Sequence, residues 1–215
     1  MPPRQGSDLA VLGSAQGEFL SNSNPSTQEL HLFHAKLHTN ISVKDADGVC
    51  TYYVKNCALK PKKPDVTLYA GSDDTGAILG VCKWSNLHPF KVMVGLGDPG
   101  IGEKDIVWES MEPTRYLDQK ENHWSIAMNN GCRRGFVWKR THRVGCDGPD
   151  TSRYSFRNFK LLDGESGEIL ATFASSAVKS WSKVGTLTFR TDLGSEMARM
   201  VLLTLLALIE KARRD

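Results

Sequence analysis

From residue 28 onward, short apolar runs alternate with clusters of Gly, Asp, Asn and Ser. The runs read "LHLFHAKL", "ISVK", "VCTYYV", "DVTLYA", "AILGVCKW", "FKVMVG", "DIVWESM", "HWSIAM", "GFVWKRTH", "FRNFKLL", "EILATFA" and "GTLTFR". Short segments rich in β-branched and aromatic residues and bounded by turn residues predict strands, about ten to twelve of them. The connections at Asp47-Gly48, "GSDDTG" (71–76), Asn130-Gly131 and "DGESG" (163–167) supply residues that tolerate positive φ, so they predict hairpins. Antiparallel hairpins in such number either stack as two sheets or close into a barrel, which removes exposed edges.

The closing stretch, "EMARMVLLTLLALIEKARRD", has a different pattern. Met197 to Ile209 is apolar at every position but Arg199 and Thr204. About 13 such residues make a helix of roughly 20 Å, too short to span a bilayer, which takes about 20 residues. Its apolar side chains occur all round the wheel, so packing on one side would leave Leu and Val in water. The sequence therefore predicts a buried core helix over 195–212, with the strands as its container. Asp192 or Ser195 is placed to cap it, Glu196 sits in its first turn, and Lys211, Arg213 and Arg214 suit its C-terminal end. Residues 1–27, rich in Ser, Gly, Pro, Gln and Asn and without a sustained period, predict a flexible tail.

A many-stranded chain opening with "ISVKDADGVCTYYVKN" and ending with "GTLTFRTDLGSEMARMVLLTLLALIEKARRD" resembles the tubby C-terminal-like superfamily. That group includes tubby, the phospholipid scramblases and the plant LURP-one-related proteins. The resemblance rests on layout from about residue 28 to the end and implies a mainly β domain over 28–215. Its implied form is a closed antiparallel barrel of about twelve strands around a central hydrophobic C-terminal helix. Activities within the group differ: tubby domains bind phosphoinositide headgroups, scramblases are linked to calcium-dependent lipid movement, and LURP-one-related proteins to defence. A shared fold does not transfer one function. The chain lacks a cysteine-rich palmitoylation stretch, and Asp45-Ala46-Asp47-Gly48 does not continue with the spacing of a calcium-binding loop, so the scramblase activity is not implied.

The net charge of +3 and pI near 8.6 allow attraction to anionic lipid or nucleic acid without requiring it. Five cysteines with no C-x-x-C pair, and no basic-then-apolar signal region, point to an intracellular protein with reduced thiols. On that reading Asn40-Ile41-Ser42 is a chance match to a glycosylation acceptor. Gly95, Gly97 and Gly100 have the spacing of a dinucleotide-binding turn, but a strand rather than a helix follows them, so a loop is expected. Lys60, Lys62 and Lys63 lie between Pro61 and Pro64 and read as a solvated turn. In strand geometry His34 and His38 share one face and His31 the other, and no thiolate pair or H-E-x-x-H accompanies them, so no metal site is expected.

The densest basic stretch is "CRRGFVWKRTHRVG". It makes Arg133, Arg134, Lys139, Arg140 and Arg143 the candidate anion- or lipid-binding residues, because clustered guanidinium groups bind phosphate oxygens bidentately. Strand alternation sends Phe136, Trp138, Arg140 and His142 to one face and Val137, Lys139 and Thr141 to the other. Neither a G-x-S-x-G nucleophile elbow nor a P-loop is present, and no catalytic residue or cofactor is assigned. The expected function is that of a non-enzymatic, cytoplasmic module, peripheral at the membrane where it meets lipid. Its partner is an anionic phospholipid headgroup or a protein. The alternatives are a ligand-carrying or catalytic barrel and, third, a nucleic-acid-associated factor, for which no single basic stripe or stacking motif speaks. Removing residues 1–27 is expected to leave the melting temperature nearly unchanged, and calorimetry of the truncated chain checks it; a large fall would place a strand in that segment.

Overall fold

The computed structural model describes residues 27–214 apart from 36–38, 58–62, 86–87, 89, 102–105, 116–119, 129–130, 142–157 and 177–179. Twelve strands precede one helix: β1 (Glu29–His34), β2 (Ile41–Lys44), β3 (Cys50–Asn56), β4 (Val66–Ala70), β5 (Ile78–Trp84), β6 (Val92–Leu96), β7 (Val107–Pro113), β8 (Glu121–Ala127), β9 (Arg133–Arg140), β10 (Phe159–Asp163), β11 (Ile169–Ser175), β12 (Lys183–Phe189) and α1 (Ser195–Arg214). Of the expected tail, residues 1–26 fall outside the described residues. Each strand pairs antiparallel with its neighbours in sequence, and β1 pairs with both β2 and β12, which closes the meander into a barrel. The predicted turns at Asp47-Gly48, 71–76 and 163–167 connect paired strands, while Asn130 of the remaining one falls outside the described residues; Gly167, at φ 71°, takes the left-handed conformation that glycine adopts without strain.

Period-two alternation sorts the strands' side chains. Leu30, Leu32, Ile41, Val43, Phe136, Trp138, Phe159 and Leu161 are buried against the interior. His31, Ser42, His123, Ser125, Lys139, Lys160, Thr186 and Thr188 occupy the intervening positions and are partly or fully exposed. Apolar inside and polar outside is the reverse of a barrel that crosses a membrane with its strands. No helix among the described residues is long and apolar enough to cross one.

The space inside is filled by α1, whose residues Met200 to Leu208 are all buried. The helix packs against β4, β5 and β6. Its approach to β5 depends on Gly80, where an added Cβ would lie 2.4 Å from Leu203 Cδ1 and 2.8 Å from the Gly95 carbonyl oxygen. Thr204, the one polar side chain in this buried stretch, is satisfied on both sides. Its hydroxyl donates to the Val201 carbonyl at 2.9 Å and accepts the Trp138 indole N–H at 2.9 Å. The helix start differs from the sequence expectation. Gly194, at φ 73°, is the cap residue, since its carbonyl accepts the Ala198 N–H at 3.0 Å, and Asp192 supports it by accepting the Gly194 N–H at 2.8 Å.

α1 also runs to Arg214 rather than 212, because its last turn is tied down by charge. Glu210 is buried, and it accepts from Arg213 at 2.6 and 2.7 Å and from Arg214 at 2.9 Å. Arg214 continues to Asp65 at 3.0 Å, with its guanidinium 4.2 Å from the Trp84 ring centre. Together these contacts lock the helix end to the loop before β4 and the end of β5.

Leu205→Asp is expected to abolish cooperative melting, because an unpaired buried carboxylate costs several kcal/mol out of a total stability of about 5–15 kcal/mol. Leu205→Met, of nearly equal volume, should melt within a few degrees of the parent. A Leu205→Asp protein that melts like the parent would place this face of α1 in solvent.

Candidate functional site

Chain direction gives the barrel two distinct ends. Odd-numbered strands start, and α1 begins, at what we term the upper rim; the lower rim is where even-numbered strands start and α1 ends. β9 runs from upper to lower, with Phe136 and Trp138 pointing inward, as the alternation predicts. At about 3.3 Å per residue its length separates Arg134 from Arg140 by roughly 20 Å. The five candidate residues therefore do not form one patch. Arg133 and Arg134 lie at the upper rim, Lys139 and Arg140 at the lower, and Arg143 lies outside the described residues.

The upper pair is engaged in structural ties. β7 and β8 are in register at only two residue pairs, Glu112 with His123 and Pro113 with Asn122. Where that ladder stops, the Arg133 guanidinium reaches across β8 to the Glu109 carboxylate on β7. It also donates to the Ser125 hydroxyl at 2.9 Å and carbonyl at 3.3 Å, so one side chain bridges three strands. Arg134 donates to Asp163 at 2.6 Å and lies 5.5 Å from the Phe136 ring centre. Asp163 is buried at the head of the β10–β11 turn and accepts the backbone N–H groups of Ser166 at 2.8 Å and Glu165 at 2.9 Å. The Ser166 amide foremost, joined by the Arg134 guanidinium and the Glu165 amide, outweighs burial and holds this carboxyl at about 2. A phosphate arriving at Arg133 or Arg134 would meet a guanidinium whose charge is already balanced by a carboxylate.

The lower rim is arranged differently. Lys139 pairs with Glu121 and faces Lys160 across the β9–β10 ladder. Arg140 is exposed, and its backbone N–H donates to the Lys120 carbonyl at 2.8 Å, which brings it beside the β7–β8 hairpin. That hairpin forms a cleft of about 290 Å³ lined by Thr114, Arg115, Lys120 and Glu121. Neither Arg115 nor Arg140 has a carboxylate partner among the described residues. Among the described residues the lower-rim acids are already matched: Asp65 with Arg214 at 3.0 Å, Glu112 with Lys91 at 2.7 Å, Glu121 with Lys139, and Glu210 with Arg213 and Arg214. Among the described residues cations remain in excess there, with Lys63, Arg115, Arg140, Lys160 and Lys183 added to those pairs. The upper rim has the opposite sign, with Asp45, Asp47, Asp98, Glu165, Glu168, Asp192 and Glu196 in its turns and at the helix start.

Arg115, Lys120 and Lys160 belong to no sequence motif, because each stands apart from other basic residues; only the barrel geometry gathers them. Of the remaining motifs, Gly95 ends β6 beside Leu96, and Gly97, at φ 111°, turns the chain toward β7, so the glycine spacing makes a strand-to-strand loop. His31 Nδ1 lies 3.2 Å from the Thr186 hydroxyl, while His38, Lys60 and Lys62 fall outside the described residues.

Because the Asp163 carboxyl sits below its ordinary value of 3.8, its contribution to stability is complete above about pH 4 and lost as pH falls toward 2. Asp163→Asn is therefore expected to melt several degrees below the parent at pH 7, with the gap closing between pH 4 and pH 2, as calorimetry across that range would record. A gap that stays constant with pH would show that charge at Asp163 is not the source of the effect.

No family model and no curated protein matches this chain. Among solved structures, an X-ray structure of an Arabidopsis thaliana protein, AT5G01750, is similar with a TM-score of 0.55 and 14% identity, covering 88% of this chain and 93% of that one. At that identity the likeness concerns the fold alone.

Proposed function

We propose that this chain is a non-enzymatic module of the tubby-like type that binds anionic phospholipid headgroups, phosphoinositides among them, at the cytoplasmic face of a membrane. The observation that carries this reading is the excess of positive charge at the lower rim among the described residues, where Arg115 and Arg140 have no carboxylate partner and Lys160 faces the Lys139–Glu121 pair, opposite an acidic upper rim. Each Lys or Arg near an anionic surface contributes on the order of 1 kcal/mol, so a handful acting together gives reversible, salt-sensitive association. The polarity also orients the molecule, since the acidic end is repelled from the surface that attracts the basic one. The filled interior favours surface binding over a ligand-carrying or catalytic barrel, which needs an open cavity with convergent polar groups. A barrel enclosing its C-terminal helix also agrees with what the tubby-like resemblance implies.

Liposome flotation tests the reading. The parent is expected to float with phosphatidylserine- or phosphoinositide-containing vesicles at low salt and to bind far more weakly at high salt or to neutral vesicles. The double substitution Arg115→Glu, Arg140→Glu should weaken binding at least roughly tenfold. Arg133→Glu, Arg134→Glu, some 20 Å away and beyond a Debye length of about 10 Å, should keep it in any preparation that melts cooperatively. A well-folded parent that ignores anionic vesicles would refute lipid binding and turn attention to a protein partner.

A further inference from the structure

One residue of the lower rim is neither charged nor packed. Trp181, in the loop joining β11 to β12, is 92% exposed, more than any other large apolar side chain among the described residues. It is held there by a formed turn. The Ser180 hydroxyl accepts the backbone N–H groups of Ser182 at 3.3 Å and Lys183 at 3.0 Å, and the Ser180 N–H donates to the Ser176 carbonyl at 3.0 Å. The His34 N–H then ties the Ser182 carbonyl to β1 at 2.7 Å. The indole is thus presented outward from a fixed base, beside Lys183, at the end of the barrel where cations are in excess.

We propose that Trp181 is the interfacial anchor of this surface, entering the boundary between headgroups and acyl chains while the surrounding Lys and Arg side chains hold the headgroup phosphates. This rests on the lipid-binding reading above and adds to it a depth, an orientation and a residue. An indole suits that boundary because its ring is apolar and its N–H finds an acceptor among the headgroups. Exposure alone does not single out Trp181. Val49, Ile101, Val107 and Met128 are exposed too, but all lie toward the upper rim, where the turns carry Asp and Glu. Charge therefore selects which exposed apolar side chain meets an anionic bilayer. The two components of binding have different salt dependence: attraction to headgroups is screened, whereas burial of the ring is not.

The test uses the full chain and phosphatidylserine vesicles, with and without bromine on the acyl chains. Trp181→Ser is expected to lower the partition constant roughly tenfold and to remove the binding that survives at high salt, leaving the melting temperature unchanged. Arg115→Glu, Arg140→Glu should instead remove the salt-sensitive part. Brominated acyl chains are expected to quench parent fluorescence on binding and to lose most of that effect in Trp181→Phe, the other four tryptophans being at least partly buried. If Trp181→Ser partitions like the parent, or quenching is unchanged in Trp181→Phe, the anchor is refuted while lipid binding by the rim stands. If the parent binds no anionic vesicle, both proposals fall.

Discussion

The need to enclose α1 governs the rest of this structure. A helix with Leu, Val or Met on every side has no face to offer water, and here Met200 to Leu208 are shielded all round by β-strands. Enclosure requires a sheet that closes on itself with one face wholly apolar, which is what twelve alternating strands supply. It also sets local requirements. Gly80 must lack a side chain for Leu203 to approach β5, and Thr204 must find both a donor and an acceptor inside an apolar interior, which Trp138 and Val201 provide. At about 1.5 Å per residue the twenty residues of α1 run about 30 Å, long enough to reach from one rim to the other.

A barrel plugged by its own helix has little interior left for a ligand, which leaves the rims as the surfaces open to one. The helix also gives those rims a sense of direction. Its N-terminal end favours negative charge and its C-terminal end positive charge, and the side chains follow that rule, with Asp192 and Glu196 above and Lys211, Arg213 and Arg214 below. The loops extend the same polarity outward. An acidic upper end and a basic lower end make the molecule electrically asymmetric at a modest net charge of +3, a property that whole-chain composition conceals.

Within this frame, arginines of similar appearance do different work. Arg133 spans three strands where the β7–β8 ladder is short, and Arg134 completes the coordination of a buried turn carboxylate. Arg140, six positions further along the same strand as Arg134, is exposed, with no carboxylate partner among the described residues. The difference is one of surroundings: a guanidinium beside a buried carboxylate belongs to the architecture, and one on an exposed rim with its neighbouring acids already paired is free to meet an external anion.

Strand count, hairpin positions and the buried helix were legible in the sequence because each is encoded locally, in period-two alternation, in glycine-bearing turns such as that at Gly167, and in apolar residues repeated all round a helical wheel. The helix cap was misread by a residue or two because Asp192 serves the Gly194 N–H rather than the first turn directly. The grouping of basic residues was not legible. Arg133 and Arg140 stand seven positions apart in "RRGFVWKR", yet an extended strand carries them to opposite ends of the barrel. The carboxylates that claim Arg133 and Arg134 lie 24 and 29 residues away along the chain. Short-range pattern determined which residues face the core, since burial depends on periodicity along each element. Only the closure and register of the barrel decided which charges are paired and which remain free, because Coulombic partners are set by distance in space.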